Sequence, residues 1–326
     1  MIMRSFKYIV LSLVGLLAFA GPATAQLLPD NEVQLVAYWE VGDKYYYQNE
    51  STKSLIQGTD TTVVEKSAAL VSFEVLAQTD STYRLRYDSS DYKHSDYIRM
   101  QTMEVIDKTV GPMPIDFETN EFGEPLAILP LEWGKISDAM VDACVDEVML
   151  RLDSLRLDRD MVSEYLRSAL NPDLIQHAAE DEISKLFQFH GHRFTIDEHY
   201  PYQAEFPNFF SAGGTILMNG EFWVSGKNTN EDVVEILVHQ IADPENLKEA
   251  AVAYLRTLGL DVDSEEARKE LTALAYNLED YMLYRFHLGT GWLLNYVHVR
   301  EVVAYNGDTP VRHDYQGNSY EIILED

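Results

Sequence analysis

The densest set of side chains able to do chemistry is His190-Gly191-His192, followed closely by Asp197, Glu198 and His199. On a strand, residues two apart share a face, so His190 and His192 could reach one metal ion, with a carboxylate or His199 completing the set. Two histidines around a glycine are also what a polar turn looks like, and the expectation is that neither is a metal ligand. The stretch 260–266 superficially suggests a calcium loop. Counted from Asp261, its sixth position is Glu266 instead of the required glycine, and its twelfth is Thr272 instead of a glutamate. The same residues read better as a helix cap, with Asp263 and Glu266 as a capping box.

Nucleophile motifs are missing. There is no G-x-S-x-G elbow, H-E-x-x-H, P-loop or G-x-G-x-x-G. Ser90-Asp91-Tyr92-Lys93 fits S-x-x-K without its companion elements and is expected in a polar link between strands. The single cysteine, Cys144, lies in a 136-140-144-148 apolar stripe and reads as a buried, inert thiol. With 54 acidic residues a carboxylate pair for glycoside hydrolysis is conceivable, but spacing identifies none. No catalytic, cofactor-binding or metal-ligating residue is assigned, and no cofactor is expected.

The elements that would position any site begin after residue 25. Residues 1–7 carry Arg4 and Lys7, 8–20 form an almost unbroken apolar run, and Gly21-Pro22 breaks it before Ala23-Thr24-Ala25. That is the layout of a secretory signal peptide, with Gln26 as the expected new N-terminus. The apolar run is shorter than the ~20 residues a membrane span needs. No transmembrane anchor is therefore expected, and the protein reads as periplasmic or secreted in a bacterium. One cysteine leaves no disulfide within the chain. The whole chain has 25 Lys and Arg against 54 Asp and Glu, net −29; losing Arg4 and Lys7 takes the basic count to 23 and the net charge to −31. Such a surface repels nucleic acid, and no basic stripe offsets it. A hydrophobic fraction of 46 % with 20 Tyr supplies ample material for a packed core.

Residues 33–48, 63–77 and 83–87 read as strands, the last alternating Tyr-Arg-Leu-Arg-Tyr as a half-buried strand does. The β-rich reading extends through 97–110 and 115–128, with Asn120-Glu121-Phe122-Gly123 as a hairpin loop. The period then becomes helical over 135–157, 160–170 and 172–187, with Leu174, Ile175, Ala178, Ile183 and Leu186 inward. Strands are expected at 215–224 and 233–241, and part of 200–214 should be loop because of Pro201 and Pro207. Asp243-Pro244 starts a helix running to Leu258-Gly259, and another follows Asp263. Strands 281–288, 292–305 and 320–324 close the chain through turns at Gly289-Thr290-Gly291 and Asn306-Gly307. The expected organisation is one β-rich domain over 26–326, with a helical insertion at about 133–189 and further helices at about 243–280.

Three local patterns carry a resemblance to a set of exported bacterial β-rich proteins: the opening Tyr38-Trp39-Glu40-Val41-Gly42-Asp43-Lys44-Tyr45-Tyr46-Tyr47, the junction Gln240-Ile241-Ala242-Asp243-Pro244-Glu245-Asn246, and the closing Gly289-Thr290-Gly291-Trp292-Leu293-Leu294. More distantly, strands flanking a helical segment resemble the open half-barrel of LolA/LolB-type lipoprotein carriers. The resemblance implies an α+β fold in which a large curved antiparallel sheet or open half-barrel packs against a helical segment. It also implies a non-enzymatic role, with a lipid or other apolar small molecule held between sheet and helices. An acyl chain fits that expectation better than a charged solute, because no inward Lys or Arg cluster is evident. The alternative is an exported hydrolase using carboxylates or a His-based metal site.

Overall fold

A computed structural model describes residues 31–57, 60–151, 158–207, 215–228, 231–257, 262, 264, 274–307 and 309–324. In chain order the elements are β1 (Glu32–Gln34), β2 (Lys44–Gln57), β3 (Asp60–Gln78), β4 (Thr82–His94), α1 (Tyr97–Val110), β5 (Ile115–Asn120), β6 (Pro125–Ile128), α2 (Trp133–Arg151), α3 (Arg159–Ala169), α4 (Pro172–Phe187), β7 (Arg193–Thr195), β8 (Tyr200–Pro207), β9 (Thr215–Asn228), β10 (Val233–Ala242), α5 (Pro244–Thr257), β11 (Leu274–His287), β12 (Leu293–Asn306) and β13 (Thr309–Ile323).

Eleven strands form one antiparallel sheet in the order β6-β5-β4-β3-β2-β13-β12-β11-β10-β9-β8. It is two meanders joined where β13 pairs with β2, for example Tyr320 opposite Asn49. The sheet is not closed: β6 and β8 are its edges. Register shifts at Lys53/Ser54, Ala68/Leu70, Val75/Ala77, Glu235/Ile236, Arg285/Phe286 and Ala304/Tyr305 bend the long strands. The result is the expected α+β fold with a large curved antiparallel sheet against helices.

The chain passes from edge β6 to edge β8 through α2, α3, α4 and β7. Asn171 caps α4 by accepting from the Asp173 N–H at 2.8 Å, with Pro172 in the first turn where no hydrogen bond is lost. The far end of α4 plugs the concave face. Ile183, Leu186 and Phe187 are buried there, whereas Leu174 and Ala178, expected inward, are exposed. Phe187 is the hub: its ring centroid lies 5.2 Å from Phe73, 5.6 Å from Phe117 and 5.9 Å from Trp39. Each such buried ring contributes ~1.5–3 kcal/mol of burial and ~0.5–1.5 kcal/mol more from ring geometry. The opening and closing sequence patterns meet here, since Trp39 stacks on Trp292 at 4.8 Å. Gly291 (φ +75°) makes this possible, because a Cβ there would lie 2.4 Å from the Val36 carbonyl oxygen.

Two sequence expectations are corrected, and a third is met only in part by the described residues. Residues 97–110 form helix α1, not a strand. Its β-branched residues mislead, but Asp96 caps it (Arg99 N–H to Oδ1, 2.9 Å) and Met103, Ile106 and Val110 fall at helical spacing against α2. Within 200–214, where a partial loop is expected, residues 200–207 form strand β8, whose Pro201 and Pro207 an edge strand tolerates, and 208–214 lie outside the described residues. Residues 274–280 belong to strand β11, not to a helix. The helix expected after Asp263 and most of the calcium-like stretch lie outside the described residues. Asp243 does start α5, accepting from the Asn246 N–H at 2.9 Å.

Candidate functional site

Register, not sequence proximity, builds the site. Along the concave face the directly paired residues run Tyr202–Gly220–Gln240–Asp280–Arg300–Gln316–Lys53–Glu65, one from each of eight neighbouring strands. On the β8–β12 side this row, with Gln240 and Asp280 buried and Tyr202, Gly220 and Arg300 half-buried, runs between two apolar layers. One is the aromatic zone around Phe187; the other is Ile216, Met218, Ala242 and Leu278 covered by Leu247 and Ala250 of α5.

Asp280 has no exposed surface. Arg300 grips it with two hydrogen bonds of 2.7 Å (Nε to Oδ1, Nη2 to Oδ2), and Gln240 Nε2 donates at 2.8 Å. His298 Nε2 stands 3.1 Å from Oδ1. Burial alone would push this carboxyl up; Arg300 and His298 more than reverse that and hold it well below the usual carboxylate range. The Tyr202 hydroxyl extends the network by donating to Gln240 Oε1 at 2.8 Å. Its ring can cross β9 only because position 220 is glycine, where a Cβ would lie 2.6 Å from Tyr202 Cζ.

The row then opens. Ser51, Lys53, Glu65, Ser67, Arg99 and Gln316 line a polar cleft of about 200 Å³ over the β13–β2–β3 seam. Arg99 of α1 pairs with Glu65, and Glu65 also lies 3.0 Å from His94 Nε2. The Asp96 N–H donates to His94 Nδ1 at 2.9 Å, which places the ring proton on Nε2, facing Glu65. Lys53 makes no ion pair among the described residues. Inward cations therefore exist, contrary to the sequence expectation. They were invisible because Lys53, Arg99 and Arg300 come from three distant segments.

A second cleft, shallow, about 470 Å³ and of mixed polar and apolar lining, lies at the other end of α1. Val110, Pro130, Leu131, Ile136 and Ala139 supply its apolar lining, and Thr109, Glu132 and Lys135 its polar lining. Between the clefts and the aromatic zone, α4 rests on a belt of tyrosines. Glu182 accepts from the Tyr320 hydroxyl, Gln188 Nε2 donates to the Tyr284 hydroxyl at 2.6 Å, and Lys185 lies 5.5 Å over the Tyr296 ring. Burial raises the Tyr284, Tyr296 and Tyr320 phenols far above their ordinary value and Tyr87 to about 12. All four therefore stay protonated.

The sequence-selected histidines go to three places. His190 sits in the turn after α4, not on a strand, fully buried against Trp39, Phe187 and Phe286. Its Nε2 faces the Gly291 carbonyl at 2.7 Å, and burial lowers its pKa to about 4. His192 lies beside Phe194, and His199 pairs with Glu221 at 3.1 Å while stacking on Trp223. Ser90 and Lys93 are exposed on strand β4 itself, not in a link. Cys144 is buried on α2 beside Ile106 and Ala143, as its stripe implied, and burial raises its thiol pKa.

No protein-family model matches the sequence, and no curated protein matches it. Among solved structures, one of lipovitellin that concerns its lipid–protein interactions overlaps with a TM-score of 0.36 at 10% identity, covering 87% of this chain and 25% of that chain. The chain thus spans a quarter of lipovitellin. In-vitro folded OmpT, an outer membrane protein of Vibrio cholerae, overlaps with a TM-score of 0.19 at 9% identity, covering 88% of this chain and 99% of that one.

Proposed function

We propose that this is a non-enzymatic binding protein of the bacterial cell envelope, exported through cleavage after Ala25, and that its ligand is lipid-like. The observation that carries this reading is the shallow cleft at the C-terminal end of α1. Its volume of about 470 Å³ falls within the ~300–1,000 Å³ of small-molecule sites, and Val110, Pro130, Leu131, Ile136 and Ala139 put a cluster of apolar side chains along it. The aromatic zone is not available to a ligand, because Phe187 and its neighbours pack ring on ring. The strongly perturbed groups support a binding role over catalysis. Asp280 is saturated by Arg300 and Gln240, and His190 is sealed among aromatic rings.

Titration of the mature protein with an environment-sensitive fatty-acid probe tests the reading. Saturable binding, competed by unlabelled fatty acid and weakened at least tenfold by Ile136→Asp, is the expected result. Absence of binding, or binding indifferent to a charge in the cleft, would remove it. Sequencing of exported protein should begin at Gln26; a chain beginning at Met1 would remove the envelope part.

A further inference from the structure

We infer that the polar cleft over the β13–β2–β3 seam is an anion site, which takes a carboxylate or phosphate group such as the head of an amphiphile. This rests on the lipid-like reading for what lies beyond the head, but the anion site stands on its own geometry.

The argument is one of unmet charge. Four cationic side chains reach this face, and three are engaged: Lys185 of α4 pairs with Glu182 over the Tyr296 ring. Arg300 spends its fork on Asp280. Arg99 pairs with Glu65, which His94 also holds from behind. Lys53 stands beside Glu65 in register but is exposed and has no ion-pair partner among the described residues. Glu65, already shared between Arg99 and His94, is the cleft's one carboxylate. The lining is completed by neutral hydrogen-bonding groups, Ser51, Ser67 and Gln316. Two cations, one engaged carboxylate and three neutral polar side chains leave room for one anion.

Position and size narrow the ligand. A cleft of about 200 Å³ is too small for a whole lipid, since drug-sized ligands need ~300 Å³ or more. It holds a head group. Arg99 is held by both ends of its segment: its N–H donates to the Asp96 cap, and its guanidinium is tied to Glu65. A guanidinium fixed in this way keeps further N–H donors for a carboxylate or phosphate oxygen. The chain's charge of −29 opposes anions at long range, but screening at physiological salt confines that repulsion to ~8 Å. The contacts within the cleft then decide. The same screening makes binding rise as salt goes from very low to physiological concentration, opposite to the trend of an anion site on a basic protein.

The test uses the mature chain with three probes: inorganic phosphate, dodecyl phosphate and uncharged dodecyl maltoside, the last two below their micellar concentrations. Lys53→Gln is the main variant, because an exposed, unpaired lysine can be replaced without disturbing the fold, and an unchanged melting temperature verifies that. The expected result is dodecyl phosphate binding weakened at least tenfold by Lys53→Gln, with dodecyl maltoside unaffected. Phosphate binding that is sensitive to Lys53→Gln, with neither amphiphile bound, supports the anion site and overturns the lipid-like reading. Equal binding of dodecyl phosphate by the wild type and Lys53→Gln overturns the anion site. If both amphiphiles still bind in that case, the lipid-like reading survives its loss.

Discussion

Asp280 and Arg300 face each other directly on β11 and β12, joined by two hydrogen bonds of 2.7 Å, with the carboxylate sealed from solvent. The pair lies where the aromatic zone ends and the α5-covered cluster begins. In a sheet, a slip of one residue turns every side chain to the other face. A slip of β11 would put Asp280 on the opposite face from Arg300 and leave both charges without partners. The pair therefore penalises misregister at the point where two apolar layers would otherwise accept it.

Asp280→Ala should cost about 2–4 kcal/mol, because Arg300, only about a quarter exposed, is left without its partner, less than the cost of stranding a fully buried charge. The pH dependence follows from the lowered carboxyl pKa of Asp280. The folded value lies below the unfolded one, so the pair's stabilisation is fully present above ~4 and is lost as pH falls below that. Urea unfolding at pH 7 and pH 3 would show a steeper acid loss for the wild type than for Asp280→Asn. An Asp280→Ala cost under 1 kcal/mol would sink this account.

His190 governs a separate, higher window. Burial takes its pKa from 6.5 to about 4, so the folded protein holds a neutral ring while the unfolded chain takes up a proton. Stability is complete above pH 6.5 and declines as pH falls towards 4, by roughly 3 kcal/mol at ~1.4 kcal/mol per unit. His190→Gln should be less stable at pH 7 and show a flatter profile between pH 6.5 and 4. A wild-type profile level over that interval would contradict the burial of a neutral imidazole.

Local signals carried much of the fold. Asp243-Pro244, Asn171-Pro172, Asn120–Gly123 and the glycine turns around Gly291 and Gly307 all do what their residue types imply. Helix α1 was hidden because Ile98, Thr102, Val105, Ile106, Thr109 and Val110 favour strands; its contacts with α2 and the Asp96 cap override them. The polar row was hidden for a different reason. Positions 202, 220, 240, 280, 300, 316, 53 and 65 are brought together only by strand order, which no local pattern encodes. One signal was available. In Val234, Ile236, Val238, Gln240, Ala242 and in Tyr284, Met282, Asp280, Leu278, a polar residue stands in an otherwise apolar alternation. A polar side chain in a buried slot needs a partner.

Gly220 tests whether the row acts as a unit. The Tyr202 ring occupies the space a side chain at 220 would fill, and its hydroxyl bonds Gln240 only from there. Tyr202→Phe removes one hydrogen bond and should cost ~1 kcal/mol. Gly220→Ala puts a Cβ 2.6 Å from Tyr202 Cζ, so the ring must leave the row, with a larger cost of ~1–3 kcal/mol. The three atoms nearest that methyl all belong to the Tyr202 ring, so in a Tyr202→Ala background Gly220→Ala should be nearly neutral. Urea unfolding of the four proteins gives the coupling, expected to exceed 1 kcal/mol. Additive costs would mean that the tyrosine and the glycine contribute independently, and that the row ends at Gln240.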